Sequence, residues 1–164
     1  MKIRLRKKAG IVFVLILFVA GYFVFLHKLP ENFVSDDSTS YGKQEVVVYR
    51  SRYCGCCGGW ISYLKKQGYK VKTVYNENMA SVKDKYGVPR SLESCHTAVI
   101  GKYVVEGHIP VEAIEKLLAE RPDIDGISLP GMPAGSPGMS GVKSEKFNIV
   151  SFKDGKEGAL FISL

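Results

Sequence analysis

Short apolar runs alternate with turn-forming residues over most of the chain. Val46-Val47-Val48-Tyr49 is a continuous run rich in β-branched residues, the pattern of a strand covered on both faces. Trp60, Ile61 and Leu64 then recur at helical spacing, and Gly68 supplies a stop. Tyr69 to Tyr75 alternates as a second strand. A strand, a crossover helix and a strand make a right-handed parallel unit. Met79, Val82 and Tyr86 space like a short second helix ending at Gly87 and Pro89. Thr97–Ile100 and Tyr103–Val105 read as a hairpin turning at Gly101-Lys102. Pro110 opens a further helix whose stripe is Val111, Ile114, Leu117 and Leu118, and Arg121-Pro122 closes it.

The predicted order β-α-β-α-β-β-α is that of an α/β, thioredoxin-like core. Leu129 to Gly141 breaks the regularity. Its run Pro130-Gly131-Met132-Pro133-Ala134-Gly135-Ser136-Pro137-Gly138-Met139 suits neither a helix nor a central strand. Phe147–Phe152 and Gly158–Ile162 then predict a terminal hairpin turning at Asp154-Gly155. No internal repeat is visible.

Ahead of this domain, residues 9–26 are free of charge and almost wholly apolar. At about 1.5 Å per residue, a helix of that length approaches the hydrocarbon thickness of about 30 Å. The formal charge of +7 is concentrated just before it. Lys2, Arg4, Arg6, Lys7 and Lys8 contribute five charges, leaving +2 for the remainder. That distribution argues against a nucleic-acid-binding patch on the folded part. It suits a basic cytoplasmic tail (1–8) before a transmembrane signal-anchor (9–26), with the rest outside the cytoplasm. A signal peptide cleaved for periplasmic secretion is the alternative, but Tyr22-Phe23-Val24-Phe25-Leu26-His27 offers no small-residue cleavage pattern. His27 reads as an interfacial residue. Residues 27–44 are polar and turn-rich, a tether to a domain spanning 45–164.

The chemistry is concentrated in Cys54-Gly55-Cys56-Cys57-Gly58-Gly59-Trp60, at a strand-to-helix junction. Cys54 and Cys57 have the C-x-x-C spacing of a redox dithiol, and amides at a helix N-terminus stabilise thiolate there. Cys56 exceeds what a dithiol exchanger needs. Three converging thiolates suit a soft metal ion, above all Cu(I). In the expected topology the loop bearing Cys95-His96 lies against the cysteine loop, which brings in a fourth sulfur and an imidazole.

Two ordinary disulfides are one alternative, although cysteines this close staple almost no loop. Structural zinc is another, although zinc ribbons pair their ligands differently. A membrane-tethered thiol–disulfide oxidoreductase, with Cys54 attacking and Cys57 resolving, is a third. His108, in Glu106-Gly107-His108-Ile109-Pro110, reads either as a cap or surface residue or as a ligand. Met132 and Met139 read either as loop packing or as thioether ligands for Cu(I). Trp60 reads as core.

Several motifs recur together in a known family. Cys54-Gly55-Cys56-Cys57-Gly58, Gly87-Val88-Pro89, Ser94-Cys95-His96-Thr97-Ala98, Val105-Glu106-Gly107-His108-Ile109-Pro110, Leu117-Leu118 and the Pro130–Met139 run resemble the small CopG-type copper-resistance proteins. The resemblance spans about Glu45 to Ile162. It implies a thioredoxin-like fold, a periplasmic setting and copper handling through Cys54, Cys56, Cys57 and Cys95, positions that match the family's metal and redox cysteines. The anchor-like segment departs from members with ordinary signal peptides. The expected partners are copper ions, a copper-transporting or thiol-redox protein, and the membrane.

Overall fold

The computed structural model describes residues 44–164. The predicted tail, anchor and most of the tether lie outside the described residues. Among the described residues no helix is long and apolar enough to cross a membrane.

The elements run β1 (Glu45–Arg50), α1 (Gly55–Lys66), β2 (Lys70–Tyr75), α2 (Met79–Lys85), a 3-10 turn (Arg90–Leu92), β3 (Thr97–Ile100), β4 (Tyr103–Glu106), α3 (Val111–Glu120), β5 (Gly126–Ser128), β6 (Asn148–Lys153) and β7 (Lys156–Ser163). The result is a mixed α/β unit with one seven-stranded sheet in the order β2-β1-β3-β4-β5-β6-β7. β1 pairs parallel with β2, Val46 opposite Val71, and antiparallel with β3, Val48 opposite Ala98. β3 and β4 form the expected hairpin.

Alternation along β1 sends Val46, Val48 and Arg50 to one face, where they are buried, and leaves Val47 and Tyr49 partly covered on the other. The main core lies on the first face. There Trp60 and Leu64 of α1 and Ile114 and Leu117 of α3 pack on Val46, Val48 and Ile100. Each such fully buried aliphatic side chain contributes about 1.5–3 kcal/mol. A smaller cluster of Val88, Leu92, Val104 and Phe152 packs separately, with Tyr86 against it. Tyr86, the C-cap of α2, donates its hydroxyl to Tyr49 at 2.8 Å, so α2 covers the second face of β1.

Each helix end has a local cause. Cys54 is the N-cap of α1, and its sulfur accepts from the Cys57 N–H. Asn78 caps α2 by accepting from the Ser81 N–H. Pro110 precedes α3 in extended conformation, and Arg121 ends it with a left-handed φ of 48°. β5 is an element that periodicity does not predict, because three residues are too few to show alternation. It completes the sheet between β4 and β6.

Candidate metal centre

The end of β1 and the first turn of α1 place three sulfurs in one small volume. Cys54 and Cys57 are joined by a disulfide with a Cα–Cα distance of 5.4 Å. Cys54 Sγ accepts from the Cys57 N–H at 3.3 Å, so a helix N-terminal amide points at sulfur. Cys56 Sγ stands 3.6 Å from Cys54 Sγ, and its thiol is free.

The second contribution comes from the loop before β3. Cys95, also free, places its sulfur 3.6 Å from Cys57 Sγ. The four cysteine sulfurs lie within 4.8 Å of one another. Cys95 also belongs to a second group with His96 and His108, whose ligand atoms meet the same limit. Cys95 Sγ lies 3.4 Å from His96 Nδ1 and 3.0 Å from His108 Nε2. The structure therefore brings together all four predicted cysteines and both predicted histidines, with Cys95 shared between a sulfur set and a mixed set.

His108 is no surface residue. It is fully buried, and its Nδ1–H donates to the Pro137 carbonyl at 2.7 Å. That bond fixes the tautomer and turns a bare Nε2 lone pair toward Cys95, the preparation that metal-ligating histidines commonly have. His96 is fully buried between Trp60, 4.5 Å away by ring centroid, and His108, 4.9 Å away. Its Nε2 has no hydrogen-bond partner among the described residues. Such an orphaned buried nitrogen is unfavourable without a ligand or water.

The electrostatics agree with this arrangement. Burial, then the charges of His108, Lys83 and Arg50, hold His96 well below the ordinary imidazole range. Burial also lowers His108. Both rings are held in the neutral form that coordinates metal. Burial first, and neighbouring Cys56 second, push the Cys95 thiol up to about 12. An ion entering here must displace that proton.

The Pro/Gly loop forms a strap over the cluster. Pro137 holds His108, and Gly138 lies directly on the first turn of α1. A Cβ at Gly138, whose φ is +83°, would collide with Trp60 N and lie 2.9 Å from Cys56 O. The strap carries its own bonds: Ser136 Oγ donates to Pro133 O at 2.8 Å and Met139 N to Ser136 O at 2.8 Å. Met132 is exposed on the strap with a φ of 47°, and Met139 is half-buried next to Gly138.

Sequence reasoning missed three supports of the site. The indole N–H of Trp60 donates to Ile109 O at 2.9 Å while its ring lies against His96. The Pro137 carbonyl orients His108. The ion pair between Lys83 and Glu106 is buried beneath the Cys95-His96 loop. Its one visible sequence signal is a glutamate ending the apolar run Tyr103-Val104-Val105.

Comparison with known proteins follows the same outline. Residues 92–139 match a family model described as protein of unknown function, DUF411. Two solved structures, forms 2 and 1 of the copper resistance protein copG, are similar to this chain at 39% and 40% identity. The matches cover 74% and 73% of this chain and 98% and 96% of theirs, with TM-scores of 0.69 and 0.67. No curated protein matches.

Proposed function

This chain belongs to the family of the copper resistance protein copG, and from that premise we propose that it binds copper outside the cytoplasm, holding Cu(I) through clustered thiolates. The observation that carries the reading is Cys95, whose sulfur is shared between the set Cys54, Cys56, Cys57 and the set His96, His108. Soft sulfur donors select Cu(I), and imidazole accepts either oxidation state. Five further donors around one shared sulfur exceed the needs of a dithiol exchanger and leave room for more than one ion. Met132 and Met139 are supplementary thioether donors on the strap.

The closed Cys54–Cys57 bond supplies the redox half of the proposal. Two Cu(II) ions each accept one electron from the reduced pair. The products are two Cu(I) ions, one disulfide and two protons. Cys56, Cys95 and the imidazoles keep their donors in both states, so metal can be retained or passed on after the change. The protein then serves copper resistance or copper transfer to a copper-transporting or thiol-redox partner. The strand order β2-β1-β3-β4, with α1 and α3 packed on one face and α2 on the other, supports a thioredoxin-like assignment. The basic tail and apolar segment 9–26 support a single-pass anchor in the cytoplasmic membrane with the domain on the far side.

A second reading, thiol–disulfide oxidoreduction by Cys54 and Cys57, is favoured by one observation. Cys54 is partly exposed and accepts a helix N-terminal N–H, the setting of an attacking thiol, whereas Cys57 is fully buried.

Anaerobic titration of the reduced full chain in detergent with Cu(I), against a competing chelator and with free thiols counted, separates the two. Tight binding that protects all four thiols supports copper handling. Unchanged copper affinity after serine replacement of all four cysteines refutes it. Weak binding together with turnover of a mixed-disulfide substrate selects the oxidoreductase.

A further inference from the structure

We propose that the buried Lys83–Glu106 pair is a positioning device that sets the spacing of Cys95, His96 and His108; the inference rests on the copper reading above. Both side chains lie in the interior, Lys83 4% and Glu106 0% exposed. A buried ion pair is a poor way to gain stability, because desolvation of both charges offsets their attraction. The place of this pair in the chain explains it better.

The Glu106 carboxylate receives three donors. Lys83 Nζ makes the ion pair, the Ser94 backbone N–H donates at 2.6 Å, and Thr97 Oγ1 donates at 2.7 Å. Lys83 Nζ also donates to Thr97 Oγ1 at 3.3 Å. Ser94 immediately precedes Cys95, and Thr97 immediately follows His96. One carboxylate therefore grips the ligand loop on both sides of its two donors. Glu106 itself stands two residues before His108 on β4, and the intervening Gly107 N–H donates to His96 O at 3.1 Å.

The 3.0 Å approach of Cys95 Sγ to His108 Nε2 joins loops at the ends of two different strands. The pins made by Glu106 run between those same two loops. Lys83 reaches in from α2 on the opposite face of the sheet and holds the carboxylate in place. No other acid or base takes part in the network among the described residues, and neither member of the pair is a metal donor.

The test separates positioning from folding. In Lys83→Met/Glu106→Leu both charges give way to apolar groups, so the fold is retained, but the Ser94 and Thr97 pins are lost. In Lys83→Met/Glu106→Gln the amide oxygen still accepts from Ser94 N–H and its NH2 can donate to Thr97 Oγ1. Thermal melts establish that each variant is folded at the working temperature. Cu(I) affinity is then measured by chelator competition on the full chain. The expected result is a loss of about 10–100-fold for the leucine variant and less than about threefold for the glutamine variant, as for removal and conservative replacement of an outer-shell partner. Equal affinity of the leucine variant and wild type overturns the proposal, and so does an equal loss in both variants.

Thr97→Val removes one pin, together with the bond that Thr97 Oγ1 accepts from Lys83, and leaves the Lys83–Glu106 contact in place. If the leucine variant does not fold, an intermediate loss in Thr97→Val supports the proposal and no loss overturns it. If the wild type does not bind Cu(I), the copper reading fails, and alkylation of Cys95 in metal-free protein decides positioning separately. Faster alkylation in the leucine variant alone supports it, and equal rates throughout overturn it.

Discussion

Replacing Gly138 by alanine should cost far more than its size suggests, and the reason can be isolated with a matched control. Gly131 and Gly138 sit on the same strap with similar left-handed φ values, +76° and +83°. A Cβ at Gly131 meets nothing within 4 Å. At Gly138 it collides with Trp60 N, lies 2.8 Å from Gly59 C and 2.9 Å from Cys56 O, all backbone atoms that cannot rotate away. Both substitutions carry the left-handed penalty of about 1–2 kcal/mol. Only Gly138→Ala adds overpacking, about 1–3 kcal/mol. Relief requires the strap to lift, which also strains the His108–Pro137 hydrogen bond, worth about 0.5–1.5 kcal/mol.

The totals are about 1–2 kcal/mol for Gly131→Ala and about 2.5–6.5 kcal/mol for Gly138→Ala. For a domain of this length 1 kcal/mol moves Tm by about 3–6 °C. Metal-free thermal melts should therefore separate the two variants by roughly 10 °C. Cu(I) competition should show a loss in Gly138→Ala only, because its strap no longer holds the His108 tautomer. Equal melting temperatures would refute the claim that the strap is seated on the first turn of α1. A large stability loss with unchanged copper affinity would show that the strap matters to the fold and not to the donors.

Cys95→Ser should lower Cu(I) capacity more than His108→Gln, because the first removes the shared donor and the second only a mixed-set donor; competitive titration reads this directly. Tyr69 is buried with an unpartnered hydroxyl among the described residues, so Tyr69→Phe should be neutral or stabilising by up to about 1 kcal/mol in urea melts. Burial pushes the Tyr69 phenol up to about 12. The stability linked to its neutral form is therefore present below pH 10 and lost between pH 10 and about 12, at about 1.4 kcal/mol per pH unit. Urea melts at pH 9 and 11 should show that slope in the wild type, reduced in Tyr69→Phe. Lys83→Met alone strands a buried carboxylate and should cost about 3–5 kcal/mol. Arg90→Ala breaks only exposed pairs with Asp84 and Glu93 and should cost at most about 1 kcal/mol, measured in the same melts.

The legible parts of this molecule are those in which neighbours in sequence are neighbours in space. β1, α1, β2 and α2 were predicted because their periodicity is local and their stops, Gly68 and Gly87, are adjacent to them. The cysteine loop announced itself by the density of a rare residue. Its approach to Cys95 followed from topology, since β3 pairs with β1 and brings the Cys95 loop to the start of α1. The burial of His108 was not legible, because it depends on a carbonyl 29 residues away in the strap. A lone histidine before a Pro-capped helix carries no mark of that contact. The Lys83–Glu106 pair was hidden for the same reason. Each charge looks solvent-facing in its own segment, and only the sheet brings them together across 23 residues. β5 was missed because its pairing with β4 and β6, and not its own composition, makes it a strand.

The donors are also unequal in depth. Cys54 and Cys56 stand at a partly exposed rim, whereas Cys57, His96 and His108 are sealed on the floor. Depth separates how tightly an ion is held from how fast it can be exchanged. Full dissociation must break every bond to the floor. An acceptor thiol approaching the rim can replace one donor at a time, so the ion is never without ligands during the handover. On the copper-transfer reading proposed above, such a site holds its cargo firmly against dilution and still releases it promptly on contact with a partner. On that reading the exposed Tyr53 and Arg52 beside Cys54 are the first surface that a recipient would meet.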